Sequence, residues 1–215
     1  MKNVLVVAAH PDDEVLGVGG TVLKHVAAGD KVYVCLVTSA YEPEWSKDYI
    51  EQKIVEQAQV DKLLGIAGRF NLDQPTVKLN TLPHGELNNK IAVVIDQVKP
   101  SIVYTHFEGD LNYDHTLIYR ACAVGTRPPK TIKLLCYETL SETEWNNRAF
   151  VPNVWVGIER QIEQKIKAFE IYASEVKAPP HPRNAEGLIT LAKKRGLEIC
   201  ADYAEAFMLI REIQR

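Results

Sequence analysis

The five residues His10-Pro11-Asp12-Asp13-Glu14 place one imidazole and three carboxylates within a single turn of chain. Such a donor set suits a hard or borderline divalent ion, and His10 and Asp13, three residues apart, could bind the same ion while Asp12 faces a bound water. The plain alternative makes Asp12 a helix cap, with Asp13 and Glu14 complementing the positive helix start and His10 incidental. A second polar cluster runs from His106 through Glu108, Asp110, Asn112 and Asp114 to His115. His115 is the expected third ligand. Asp114 beside it is expected to accept from that imidazole and orient it, or else to serve another histidine. Three protein ligands with one open position describe a catalytic rather than a structural metal site.

Both clusters follow directly on strand-like runs. Residues 3–9 are nearly all apolar, as in a parallel strand covered on both faces, and 14–28 read as a helix stopping at Gly29-Asp30. The alternation continues with strands at 31–38, 67–72, 101–105 and 131–137 and helices at 46–64, 85–98 and 114–124. This predicts an α/β fold: a Rossmann-like, doubly wound, mostly parallel sheet with helices on both faces. In that strand order the first and fourth strands are neighbours at the switch point, so both clusters open into one crevice. From about residue 138 the pattern loosens into a strand at 152–157, a helix at 158–172, a proline-rich loop at 178–183 and a helix at 185–195. These read as a C-terminal elaboration of one domain spanning 1–215.

A net charge of −3 and a pI near 6.1 argue against a surface built to grip nucleic acid. No run reaches the roughly 20 apolar residues needed to span a bilayer, and Met1-Lys2 leads straight into the first strand, so a cytoplasmic location is the default expectation. Cys35, Cys122, Cys136 and Cys200 form no close pair and read as buried thiols.

His10-Pro11-Asp12-Asp13-Glu14 after an N-terminal strand, followed by Gly17-Val18-Gly19-Gly20-Thr21 and a later Asp114-His115 pair, resembles the PIG-L/LmbE family of zinc-dependent N-deacetylases. Thr126-Arg127-Pro128, Tyr137-Glu138, Pro152-Asn153-Val154, His181-Pro182-Arg183 and Ala204-Glu205-Ala206-Phe207 also look like that family, so the likeness spans nearly the whole chain. The resemblance implies His10, Asp13 and His115 as ligands of one Zn2+, or of another divalent ion such as Fe2+, and Asp12 as the base. It implies a small-molecule amino-sugar substrate that loses an N-acetyl group, with self-association an open possibility. Many members carry histidine three residues before the last ligand, where this chain has Asn112. An amide cannot supply a proton, which leaves Asp12, His106, Asp110 or His181 as the acid, with Asp12 preferred. His106, Asp110, Asn112, Arg127 and His181 are the candidate substrate contacts. The alternatives are an amidase or deformylase with the same metal site, and a non-catalytic nucleotide-binding module.

The glycines at 17, 19 and 20 lie inside the predicted helix rather than in the turn before it, so close packing against the sheet explains them better than dinucleotide binding. Trp45, Trp145, Trp155, Tyr41 and Tyr49 could stack on sugars, although core packing suits Trp155. The stripe Ile50, Ile54, Ala58 and Leu63 should face the sheet.

Overall fold

A computed structural model describes residues 1–214. Its strands and helices in chain order are β1 (Asn3–Ala8), α1 (Asp13–Ala27), β2 (Lys31–Ser39), α2 (Lys47–Leu64), β3 (Gly68–Pro75), α3 (His84–Val98), β4 (Ile102–His106), α4 (Tyr113–Gly125), β5 (Lys133–Tyr137), β6 (Val154–Gly157), α5 (Ile162–Ile171), α6 (Ala185–Leu197) and β7 (Ala204–Arg211). All seven strands join one sheet in the order β3-β2-β1-β4-β5-β7-β6. The first five are parallel, and β7 runs antiparallel between β5 and β6.

The apolar runs explain the layering. In β1, Val4 and Val6 face a core shared with α1, α2 and α5, while Leu5 and Val7 face a second core built on α3 and α4. A strand between two helical layers has no solvated side, so it reads as continuously hydrophobic instead of alternating. The strand order reverses at the β1–β4 seam, where the two parallel strands pair with Val6 opposite Tyr104, and their carboxyl ends stand side by side. Among the described residues, no helix is long and apolar enough to cross a membrane.

Several expectations need correction. The final strand, β7, has no counterpart in the sequence reading. Helix α5 begins at Ile162, after a turn, rather than at 158. On α2 the expected stripe does not face the sheet: Ile54 is 60% exposed, and the buried positions are Lys53, Glu56, Gln57, Val60 and Leu64. The N-terminal half of α2 forms a pocket wall, where Lys53 is buried among carboxylates. Cys200 is exposed, in a turn after α6 with φ 58°, whereas the other three thiols are buried. Trp155 is only partly buried on its edge strand, and its indole N–H donates to Glu198.

Helix α1 packs unusually close to the sheet. A Cβ on Gly17 would sit 2.1 Å from Cδ2 of Tyr137, and one on Gly20 would meet Ile158 at 2.9 Å. Deeper in the same helix, a buried ion pair bridges the backbone. Lys165 Nζ donates to the Leu16 carbonyl, Glu205 accepts from the Gly20 and Thr21 amides, and the two side chains meet at 2.6 Å. Gly17→Ala would favour the helix by about 1 kcal/mol on propensity alone. The clash with the buried Tyr137 ring outweighs that gain, and overpacking of this kind costs roughly 1–3 kcal/mol. Thermal unfolding should therefore show a lower Tm for Gly17→Ala, and a Tm equal to or above the parent's would contradict this packing.

Candidate active site

Between the end of β1 and the start of α1, the chain turns over the carboxyl edge of the sheet. Asp12 takes φ 134° and ψ −29°, a conformation that side chains avoid and that costs roughly 1–3 kcal/mol. Its N–H donates to Glu14 Oε2 at 3.1 Å, and its Oδ2 accepts from Arg183 at 3.0 Å. Glu14 is itself fixed by the Tyr172 hydroxyl and by Arg69, at 2.6 and 3.0 Å. Asp12 makes no side-chain cap to α1, so the helix-cap reading fails. Glu14 braces the turn from behind, and the turn presents Asp12.

Three donor atoms converge at this turn. Nδ1 of His10, Oδ2 of Asp13 and Nε2 of His115 stand 3.4 Å from one another on all three sides. A tetrahedral ion with bonds of about 2.1 Å requires ligand-to-ligand edges of about 3.4 Å, so the triangle matches three corners of such a site. The other oxygen of Asp13, Oδ1, is buried without a hydrogen-bond partner. The charge balance favours a cation as well. Burial opposes ionisation of Asp13, but the imidazoles of His115, His106 and His10 outweigh it and hold its carboxyl well below the usual range. Burial likewise opposes charge on the two histidines, yet hydrogen bonds to Asp114 and Asp13 raise His10 to about 9, and Asp13 and Asp110 raise His115 to about 10. A divalent ion in the triangle would supply the positive charge that these protons otherwise provide. The residues present therefore fit a metal ion.

Of the two roles expected for Asp114, orienting His115 or serving another histidine, the structure shows the second. Asp110, not Asp114, accepts from His115 Nδ1, at 2.9 Å, and is held in turn by the Thr143 hydroxyl at 2.6 Å. Asp114 lies 3.5 Å from His10 Nε2 and accepts from the Val77 amide. Each imidazole thus has a carboxylate on its far nitrogen, which leaves the near nitrogen aimed at the triangle. On α4, His115 lies a full turn from Asp110, which precedes the helix, and that loop curls back over the ring.

Candidate substrate contacts divide sharply. His106 is fully buried beneath the triangle: its Nε2 accepts from the Ala9 amide and lies 3.1 Å from the Tyr137 hydroxyl, and its ring stacks on His115. Burial and the neighbouring His115 push its pKa well down, so it is neutral and closed off from solvent. Asp110 is buried too, occupied by His115. Asn112 lines the pocket, with its Oδ1 capping α4 through the Asp114 amide. Arg127 is a correction: it is exposed beyond the C-terminal end of α4, roughly 18 Å along the helix axis from His115. His181 faces a separate cavity on the other side of its loop, edge-on to Trp145.

From that same loop Arg183 reaches the site, donating to Asp12, Ser141, the Leu140 carbonyl and Glu142. Glu142 and Glu175 complete the pocket wall; sequence reasoning missed both. Glu142 follows a strand at the carboxyl edge, the positional signal that flagged the two main clusters. Glu175 carries no comparable mark. Burial raises the pKa of Asp12 well above the carboxylate norm, against the opposing effect of Arg183. Burial also raises that of Glu142.

Comparison with known proteins places this geometry. The uncharacterized deacetylase YaiS of Escherichia coli (strain K12) is 28% identical over 178 residues, covering 77% of this chain and 83% of that protein. The conserved protein TT1542 from Thermus thermophilus superposes with a TM-score of 0.82 at 27% identity, over 100% of this chain and 97% of its own. The N,N'-diacetylchitobiose deacetylase of Pyrococcus horikoshii, solved with an inhibitor, shares the fold with a TM-score of 0.78 at 22% identity, over 97% and 84% of the two chains. The family model described as PIG-L, GlcNAc-PI de-N-acetylase, matches residues 5–124, which include both polar clusters and the whole triangle. The chain belongs to the PIG-L family of de-N-acetylases.

Proposed function

We propose that this protein hydrolyses the N-acetyl group of an amino sugar or sugar conjugate, releasing acetate and a free amine, with His10, Asp13 and His115 holding one zinc ion. The 3.4 Å triangle beside Asp12 carries the reading. Membership of a de-N-acetylase family supports the reaction class, and the amino-sugar substrate of the Pyrococcus horikoshii neighbour supports the substrate class.

When bound, zinc supplies Lewis acidity that polarises the acetamide carbonyl and lowers the pKa of water towards about 7. The chain's own residues do the rest. Asp12, which lines the pocket outside the triangle, accepts the proton of the attacking water. Arg183 holds its Oδ2 and so fixes the direction of the carboxylate. Departure of the amine requires a proton. His106 and Asp110 are sealed in the supporting layer, and His181 faces another cavity. Of the four groups considered as the acid, Asp12 alone lines the pocket, so it returns to the nitrogen the proton that it took.

Three measurements test this. Asp12→Asn should lower kcat on an N-acetylated amino sugar by roughly 10²- to 10⁴-fold while the purified protein retains stoichiometric metal. His115→Ala should lose metal and activity together. Full activity in the Asp12 variant, or formate rather than acetate as the released acid, would overturn the assignment. Asp110→Ala, which removes the acceptor behind His115, should weaken zinc binding about 10- to 100-fold in a chelator competition, with activity recovering at saturating zinc.

A further inference from the structure

The pocket extends from the triangle between α2 and β3, with a volume of about 570 Å³. That lies within the roughly 300–1,000 Å³ typical of small-molecule sites. Apart from His10, two basic side chains line it, Lys53 and Arg183, and each is already committed to carboxylates. Lys53 is buried, with Nζ 2.9 Å from Glu56 and 3.0 Å from Glu175. The angles depart from hydrogen-bond alignment, so this pairing is one of charge. Arg183 lies 3.0 Å from Asp12, 3.3 Å from Glu142 and 4.0 Å from Glu175. Asp73 adds a further carboxylate to the lining, and no ion pair involves it among the described residues.

A phosphate entering this space would have to displace a carboxylate from one of those cations while lying close to the others. Unit charges 4 Å apart repel by about 1 kcal/mol even in bulk water, and by more near a protein surface. A neutral sugar meets no such barrier. Trp45, Tyr49, Ile50 and Ile54 give it an apolar wall, and Gln57 and Asn71 give it uncharged hydrogen-bonding groups.

Resting on the deacetylase reading, we infer that the site selects an N-acetylated amino sugar whose attached group is uncharged, such as a second sugar, and discriminates against one bearing a phosphate or nucleotide. The selection comes from residues outside the metal triangle. Glu56, which does not line the pocket, contributes by holding Lys53.

The test compares two small substrates that differ in the charge at one position: the methyl α-glycoside of N-acetylglucosamine and N-acetylglucosamine 1-phosphate. With zinc-loaded protein, kcat/KM should favour the methyl glycoside by about tenfold or more at low salt, and the gap should narrow as ionic strength rises. Calorimetric dissociation constants for the two deacetylated products should show the same order. Glu56→Gln, which leaves Lys53 less neutralised, should shrink the difference. Equal or tighter binding of the phosphorylated product would overturn the inference. Preferential binding of the neutral product without hydrolysis of either substrate would sink the deacetylase reading and leave charge selection standing. Hydrolysis with the phosphate preferred would do the reverse.

Discussion

The site depends on one buried anion. Asp13 lies at the start of α1, 0% exposed, with His10, His106 and His115 around it and one oxygen without any hydrogen bond. A carboxylate so far from water must be neutralised by its surroundings, and the helix N-terminus and the imidazoles of His10 and His115 are the means at hand, with room between them for a cation. The rest of the edge follows from this requirement. β1 and β4 must be neighbours, because the histidines come from both. Asp110 and Asp114 must stand behind the rings, because an imidazole turned the wrong way would offer a proton where a lone pair is needed. Tyr137 must lie under α1 against His106, and the glycine at position 17 makes room for it.

How much of this could be read in the residues varies with the range of the interaction. The parallel core was legible because strands with no solvated face are apolar throughout, and the first polar cluster was legible because its members are adjacent. Pairing was harder. Whether Asp110 or Asp114 supports His115 depends on how the loop before α4 folds, and neighbours along the chain mislead: Asp114, next to His115, turns towards His10. On α2, hydropathy pointed to Ile54 as core, yet the face turned inwards there carries Lys53, held by Glu56 of the same helix and by Glu175 after α5. Strand β7 carries an apolar run, Ala206-Phe207-Met208-Leu209-Ile210, that reads locally as a strand; its antiparallel insertion between β5 and β6 is what departs from the alternating pattern.

The proline-rich loop shows the same limit. His181 and Arg183 are two residues apart and equally plausible from sequence, yet they face different cavities. An extended chain would turn residues i and i+2 to the same side; the bend at 181–184 is what parts them. The choice of which one reaches Asp12 belongs to the packing of the loop against Leu140, Ser141 and Glu142. Three residues of the pocket's charge pattern, Glu142, Glu175 and Arg183, lie outside the span 5–124 matched by the family model, whereas Lys53, Glu56 and Asp73 lie inside it. The pocket is therefore a composite: α2 and β3 supply one wall from the same stretch as the triangle, and the segments after β5 and α5 supply the other.

The Lys165–Glu205 pair has a consequence for synthesis. It clasps α1 at Leu16, Gly20 and Thr21, in the turns that follow Asp12 and Asp13, with partners contributed about 150 and 185 residues later. As the nascent chain emerges, residues 1–124 can provide every donor atom of the triangle, but α1, which carries Asp13, lacks this clasp until Glu205 has been made. A ribosome working at about 5–20 residues per second takes several seconds over that interval. During that time the donor residues of the triangle await the pocket residues Glu142, Glu175 and Arg183. The packing of α1 is thus completed only near the end of translation, when the last strand supplies Glu205.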